Sequence, residues 1–189
     1  MNILPPVLLE FANELCSPRL DIRLPKPGDG AELNKAIHET FDLLKLWMPW
    51  ATKLPTLAES EESVRRSNSR FLLREDLQLL LFDKSTQEIV GSSGLHRADW
   101  DVPKFEIGYW IRKKYLNQGF AREAVTAIAE FAFSQLNAAR LEILVASHNI
   151  ASQKVALASG FHLEAILKNF EVSLINRKIV DRHVYTKLR

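Results

Sequence analysis

Gly119 is followed two residues later by Ala121, where the polar turn 112–118 passes from an extended run into a helical one. The first turn of a helix presents backbone N–H groups with no partner and a partial positive charge. Small residues at that point leave room for an anion, so the segment can hold a phosphate or pyrophosphate. An ordinary strand–turn–helix connection would use the same residues for packing. Neither G-x-G-x-x-G nor G-x-x-x-x-G-K-[ST] occurs, which sets aside a dinucleotide fold and a P-loop. Asn149 and Ser152 have the spacing of a helix cap and its first turn. Glu106 stands two residues before Gly108 in the extended run, hence on the same face. The five histidines show no metal-ligand spacing. His38 reads as surface, His162 as structural and His148 as a neighbour of Asn149, which leaves His96 and His183 as pocket candidates. Cys16 is the only cysteine, which excludes an internal disulfide and a cysteine zinc site; it reads as a buried small residue rather than a nucleophile.

The elements that must position these residues follow from periodicity. Residues 19–24 alternate as a strand and end at Pro25, Pro27, Gly28 and Gly30. Leu33, Ile37, Phe41 and Leu44 recur at helical spacing, and Pro49 stops that helix. A second helix starts after Pro55-Thr56, with acids early and arginines late, the order its dipole favours. Residues 77–82 and 88–91 read as a hairpin around a polar turn, and 105–111 as another strand. Phe120, Ala124, Ile128, Phe131 and Ala132 share one face of a helix over 119–136. Strand 141–145, helix 149–159 with Gly160 as its C-terminal cap, and strands 163–173 and 178–187 complete the chain. The expected architecture is α/β: one domain over 17–189 with a central, mixed, mostly antiparallel sheet flanked by helices, preceded by an arm over 1–16 with a short helix from Pro6. A parallel pair is expected where helix 119–136 joins two strands.

Composition narrows the function classes. A chain of 189 residues with 47% hydrophobic and 25% charged residues is globular and buries a core without metal or disulfide. A formal charge of +2 offers no strong basic field for nucleic acid. No apolar run has the length of a membrane span, and residues 1–16 lack a basic start and a cleavage site, so a cytoplasmic protein is expected.

Residues 116–121, Leu-Asn-Gln-Gly-Phe-Ala, resemble the acyl-CoA-binding motif [QR]-x-x-G-x-[GA] of the GNAT acetyltransferases, with Leu116 in the first position. E-I-G-Y-W-I over 106–111, A-R-E-A over 121–124, Asn149-x-x-Ser152, and Ser159-Gly160-Phe161 are similar to the RimJ/RimL-type branch that acetylates ribosomal-protein N-termini. So are Pro18-Arg19-Leu20, W-M-P-W at 47–50 and the ending with Asn176, Asp181 and Tyr185. The resemblance covers about residues 17–189. It implies a splayed sheet, acetyl-CoA as co-substrate and direct attack by an amine.

The resemblance also implies roles. Backbone N–H groups of Gln118, Gly119, Phe120, Ala121 and Arg122 would surround the pyrophosphate, and Tyr109, Trp110 and Ile111 would pair with pantetheine. The Arg122 side chain either reaches a phosphate or is a solvated helix charge. Asn149 would lie by the thiol. A tyrosine acid common in the superfamily would fall at Ala156; the RimJ/RimL-type branch has a serine at the position of Ser152 instead, and the resemblance therefore implies Ser152 as proton donor to the leaving thiolate. Glu171 is the first candidate for base, Glu106 the second, and water alone the third. Trp47 and Trp50 are the expected acceptor wall. An α-amine, with a pKa of about 7.7–8.0, needs less help than a lysine amine near ~10.4. The resemblance implies a peptide N-terminus, ribosomal or similar, as the acceptor. A small amine such as a polyamine, aminoglycoside or amino acid is the alternative, and a non-catalytic acyl-CoA sensor the third reading. A monomer and a homodimer both remain open.

Overall fold

The computed structural model describes residues 4–189. After one 3-10 turn at Pro6–Leu8, the elements run β1 (Glu14–Cys16), β2 (Leu20–Arg23), α1 (Gly30–Trp47), α2 (Leu57–Leu72), β3 (Leu77–Asp83), β4 (Ile89–Asp99) and β5 (Lys104–Ile111). Then come α3 (Phe120–Gln135), β6 (Arg140–Ala146), α4 (Ile150–Ala158), β7 (His162–Val172) and β8 (Ile179–Leu188). The sheet order is β1-β2-β3-β4-β5-β6-β8-β7, and every neighbouring pair is antiparallel except β5–β6. The expected mixed α/β sheet and its parallel pair across α3 are therefore present.

Alternation along the strands sorts the core into two layers. Leu79 and Leu81 of β3 pack with Phe120, Ala124, Ile128 and Phe131 of α3, while Leu80 and Phe82 pack with Leu33, Ile37 and Leu44 of α1. Successive side chains of a strand point to opposite faces, so one hydrophobic run serves both layers. In α2, the Thr56 hydroxyl accepts from the Glu59 N–H and the Glu59 side chain accepts from the Thr56 N–H, a complete capping box. Glu61 accepts from the N–H groups of Gly28 and Gly30, and Glu62 pairs with Arg66. The acids of this helix are thus engaged in holding the fold.

Two features of the arm were not legible. The helix expected from Pro6 is a single 3-10 turn, and Glu14–Cys16 forms a three-residue edge strand on β2. Cys16 is exposed on that strand, not buried as expected, because its side chain lies at the sheet's open edge. His162, expected to be structural, is also exposed, at the start of β7. Phe11 packs edge-on against Phe71 and Phe131, with the Arg74 guanidinium 3.9 Å from its ring centroid.

Two ion-pair clusters fix the segments on either side of the 112–119 turn. Arg112 is 1% exposed, and its guanidinium donates to Glu39 at 2.7 Å and Glu32 at 2.8 Å, both from α1. Burial alone would favour loss of its proton, but the two carboxylates outweigh that and keep it charged. At the other side, Glu123 accepts from the Ser17 hydroxyl at 2.7 Å, the Arg19 N–H at 2.8 Å and the Arg19 guanidinium. Burial alone would raise the Glu123 pKa; these donors outweigh it and hold the carboxyl below its ordinary value.

A depressed carboxyl contributes stability above its unfolded pKa and loses it as pH falls through the folded value. Glu123→Gln is therefore expected to cost about 1–2 kcal/mol at neutral pH. The gap to the parent should shrink as pH drops below the ordinary carboxylate range. Urea midpoints measured across pH check this; a gap that stays constant with pH would show that the charge on Glu123 adds nothing.

Candidate active site

The parallel pairing of β5 with β6 comprises Lys104↔Arg140, Phe105↔Leu141 and Glu106↔Glu142. Beyond it the two strands diverge, although β5 continues to Ile111 and β6 to Ala146. β5 keeps its other edge paired with β4 as far as Gly91↔Ile111, and β6 keeps its own paired with β8 as far as Ala146↔Arg182. The result is a V-shaped opening inside the sheet, edged by backbone groups of Tyr109, Trp110 and Ile111. Such edges accept an extended ligand as an added strand.

The turn after β5 ends at the head of α3. Asn117 and Gly119 both have left-handed backbone, at φ 60° and 83°, and Gly119 is the helix N-cap. A side chain at 119 would meet only Arg19, so the backbone conformation, not space, calls for glycine there. The N–H groups of Gln118, Gly119, Phe120, Ala121 and Arg122 have no acceptor among the described residues. Arg19 holds the turn from outside: it donates to the Gln118 carbonyl at 3.0 Å and lies over the Phe120 ring at 4.1 Å. The Arg122 side chain is exposed and has no ion-pair partner among the described residues. This end of α3 can hold an anionic group by free N–H donors and the helix dipole.

At the far side of the V stands α4. Asn149 caps it, its side-chain oxygen accepting from the Ser152 N–H at 3.1 Å. The Ser152 hydroxyl is 2.8 Å from the Tyr109 hydroxyl, which also donates to the Ser152 carbonyl at 3.2 Å. This contact bridges β5 and α4. Burial pushes the Tyr109 phenol up to about 12, only partly offset by its bond to Ser152, so it keeps its proton at neutral pH. The family resemblance implies only a backbone role for Tyr109. Its side chain brings a second hydroxyl to Ser152, and no periodicity could have shown that.

A cavity of about 530 Å³ lies on the α1/α2 face of the sheet. Gly108, Tyr109 and Trp110 form part of its wall, so it meets the V along β5; Trp50 and Met48 stand opposite. This volume suits a small ligand or the end of a peptide. Trp50 is 51% exposed and 6.5 Å from Trp110, ring centre to ring centre. Trp47 does not line this cavity. Its ring instead packs on His148 at 5.1 Å, and His148 bonds Ser173 at 3.2 Å, so the exit of α1 reaches across to the β6–α4 turn and the β7–β8 turn. The two expected bases lie elsewhere too. Both oxygens of Glu171 accept from Arg182, at 3.1 and 2.6 Å, and Glu106 pairs with Arg97 at 3.0 Å. Neither glutamate lines the cavity. Among the described residues no group of His, Cys, Asp and Glu could hold a metal ion, and no helix is long and apolar enough to cross a membrane.

A splayed sheet, free N–H groups at the head of the helix that follows it, and a cavity across the same strand together suit an acyl-CoA-dependent acyltransferase. Residues 19–162 match the acetyltransferase (GNAT) domain family. The chain belongs to the GNAT acetyltransferases, and its co-substrate is acetyl-CoA. It is 26% identical over 157 residues to the ribosomal-protein-serine acetyltransferase of Escherichia coli, covering 82% of this chain and 86% of that one. It is 25% identical over 138 residues to an uncharacterized N-acetyltransferase, p20, of Bacillus licheniformis, covering 73% and 76%. Among solved structures, RimL, a ribosomal L7/L12 alpha-N-protein acetyltransferase in complex with coenzyme A, superposes with a TM-score of 0.83 at 20% identity, over 91% of this chain and 95% of that one. The microcin C7 self-immunity acetyltransferase MccE, in complex with acetyl-CoA and AMP, superposes with a TM-score of 0.82 at 21% identity, over 91% and 93%.

Gly119→Glu places bulk and negative charge among the free N–H groups and forces a left-handed backbone on a residue with a Cβ. It is expected to weaken acetyl-CoA binding at least tenfold, read by calorimetry on protein whose circular dichroism is unchanged. Unaltered affinity would remove the anion site from the head of α3.

Proposed function

We propose that the chain acetylates the N-terminal α-amine of a peptide or protein, a ribosomal protein being the first candidate. The observation that carries this reading is the cavity sharing Gly108–Trp110 with the V, so that an acceptor bound there would meet the reacting end of a donor held along β5. An α-amine suits it because a large fraction of the amine is already neutral near pH 7.7–8.0, roughly its pKa. Polycations suit it less. The cavity's carboxylates are already paired: Glu59 with Lys53 at 2.6 Å, and Asp76 with His96 at 3.1 Å and Arg70 at 3.5 Å. The similarity to the Escherichia coli ribosomal-protein-serine acetyltransferase supports the same class of acceptor.

In the proposed reaction, pantetheine lies along Tyr109–Ile111 and the diphosphate sits on the N–H groups of 118–122. The neutral amine attacks the thioester carbonyl carbon, and backbone N–H groups of β5 stabilise the oxyanion. Ser152, backed by the Tyr109 hydroxyl, gives the departing sulfur a proton. Asn149 holds Ser152 by capping its helix. Glu171 and Glu106 are each engaged by an arginine and neither lines the cavity, which favours another group, or water alone, as the acceptor of the amine's proton.

A second reading has its own observation. Trp50 and Trp110 give the cavity an aromatic wall against which a planar ring can pack, and the similar MccE fold is seen with AMP. A small amine that carries an aromatic ring is the acceptor in that case.

Thiol release from acetyl-CoA separates the two. Peptides beginning with Ser or Ala should react, and the same peptides blocked at the N-terminus but bearing free lysines should not. Reaction of ring-bearing small amines alone would replace the peptide reading by the second. Ser152→Ala is expected to lower kcat by roughly 10²–10⁴-fold with little change in acetyl-CoA affinity. A normal kcat would leave Ser152 with only its place in the capped turn.

A further inference from the structure

His96 lies flat on the sheet. A Cβ at Gly108, its neighbour across the β4–β5 pair, would stand 3.1 Å from His96 Cδ2 and 3.4 Å from Nε2, with nothing else near it. A Cβ at Gly94, which pairs with Gly108, would stand 3.1 Å from Cε1, so the two bare glycines together give the imidazole its place beside the strand that borders the V. Asp76, from the segment before β3, accepts from Nδ1 with both oxygens at 3.1 Å. A carboxylate only accepts, so the proton of the neutral ring sits on Nδ1 and Nε2 carries the lone pair. Nε2 has no hydrogen-bond partner among the described residues, and His96 lines the cavity together with Gly108 and Tyr109.

We propose that His96 is the general base of the acetyl transfer, with Asp76 as the residue that orients it. This inference rests on the amine-acetylating reading above. The nitrogen lone pair of the acceptor forms the C–N bond and the C–S bond breaks with its electron pair on sulfur. The amine's proton passes to Nε2, sulfur takes a proton from the Ser152–Tyr109 side, and water carries the imidazolium's proton back to that side. No atom or electron is left over. Asp76 favours the imidazolium that forms, as a carboxylate behind a catalytic imidazole does in hydrolases. The other charged groups facing the ring are Arg70 of α2, bound to Asp76, and Glu106, its partner across the strand pair, bound to Arg97. Glu59 and Lys53 stand elsewhere in the cavity wall.

The test is steady-state kinetics against pH on whichever amine the parent protein accepts. His96→Gln is expected to lower kcat by roughly 10²–10⁴-fold at pH 7. The KM for acetyl-CoA should stay within about twofold, and the acid limb of the pH profile should flatten. His96→Ala should regain part of its rate with added imidazole, since the space above Gly108 is then open. Asp76→Asn should lower kcat with KM unchanged, because an amide can donate to Nδ1 and hold the wrong tautomer. Parent-like kcat and acid limb in His96→Gln would overturn the proposal. So would loss of that limb in Glu171→Gln or Glu106→Gln while His96→Gln keeps it. If the parent acetylates small amines but no peptide, the peptide reading fails alone and His96 is judged on those amines. If the parent acetylates no amine, both readings fall.

Discussion

The separation of β5 from β6 is the constraint on which the rest of the molecule depends. Buried backbone N–H and C=O groups demand partners, and a sheet normally supplies them without interruption. Here the parallel pairing ends at Glu106↔Glu142. The two strands are kept apart by attachments on their outer sides. β5 is zipped to β4, and Arg112 just beyond its end is drawn into α1 by Glu32 and Glu39, with Thr40 accepting from the Lys113 N–H. β6 is zipped to β8 along its length. Tyr109 and Ser152 span the gap by their hydroxyls rather than by backbone. The unpaired edges are thus a standing capacity to bind an extended chain of amides, and pantetheine is such a chain.

Most of the fold was readable because its cues are local. The 3.6-residue spacing in 119–136, the polar turn at 83–87 and Gly160 each signal their element without reference to anything distant, and α3, the β3–β4 hairpin and the α4 terminus appear there. The segment Glu14–Cys16 gave no such cue. Three residues carry no period, and what makes them a strand is the free edge of β2. Cys16 was misplaced for the same reason: its exposure follows from being on the sheet's last strand, a property of topology and not of residue type.

The candidate site divides along the same line. The head of α3 is a continuous stretch of chain, and its free N–H groups follow from helix geometry alone. The proton-handling groups are assembled from distant segments. Glu171 carries nothing in its own neighbourhood to announce Arg182, nor Glu106 to announce Arg97, yet those arginines decide what each carboxylate is free to do. The role of Ser152 is implied by the family resemblance, but Tyr109, on a strand far earlier in the chain, brings a second hydroxyl to it. Trp47 and Trp50 look equivalent in W-M-P-W. Pro49 turns the chain between them, so that one ring faces His148 and the other the cavity.

The placement of Phe11 bears on how the chain is made. Its ring sits against Phe71 at the end of α2 and Phe131 in α3, under the Arg74 guanidinium. On the ribosome the arm emerges well before either aromatic partner, and the helix that carries Phe131 cannot dock until β3 to β5 have formed a surface for it. During that interval Phe11 and Leu15, the arm residues that pack on the core, have no surface to settle on, and the edge of β2 is uncovered. The first segment described is among the last to find its seat, and nascent chains are exposed to mispairing and to chaperones over the whole of that delay.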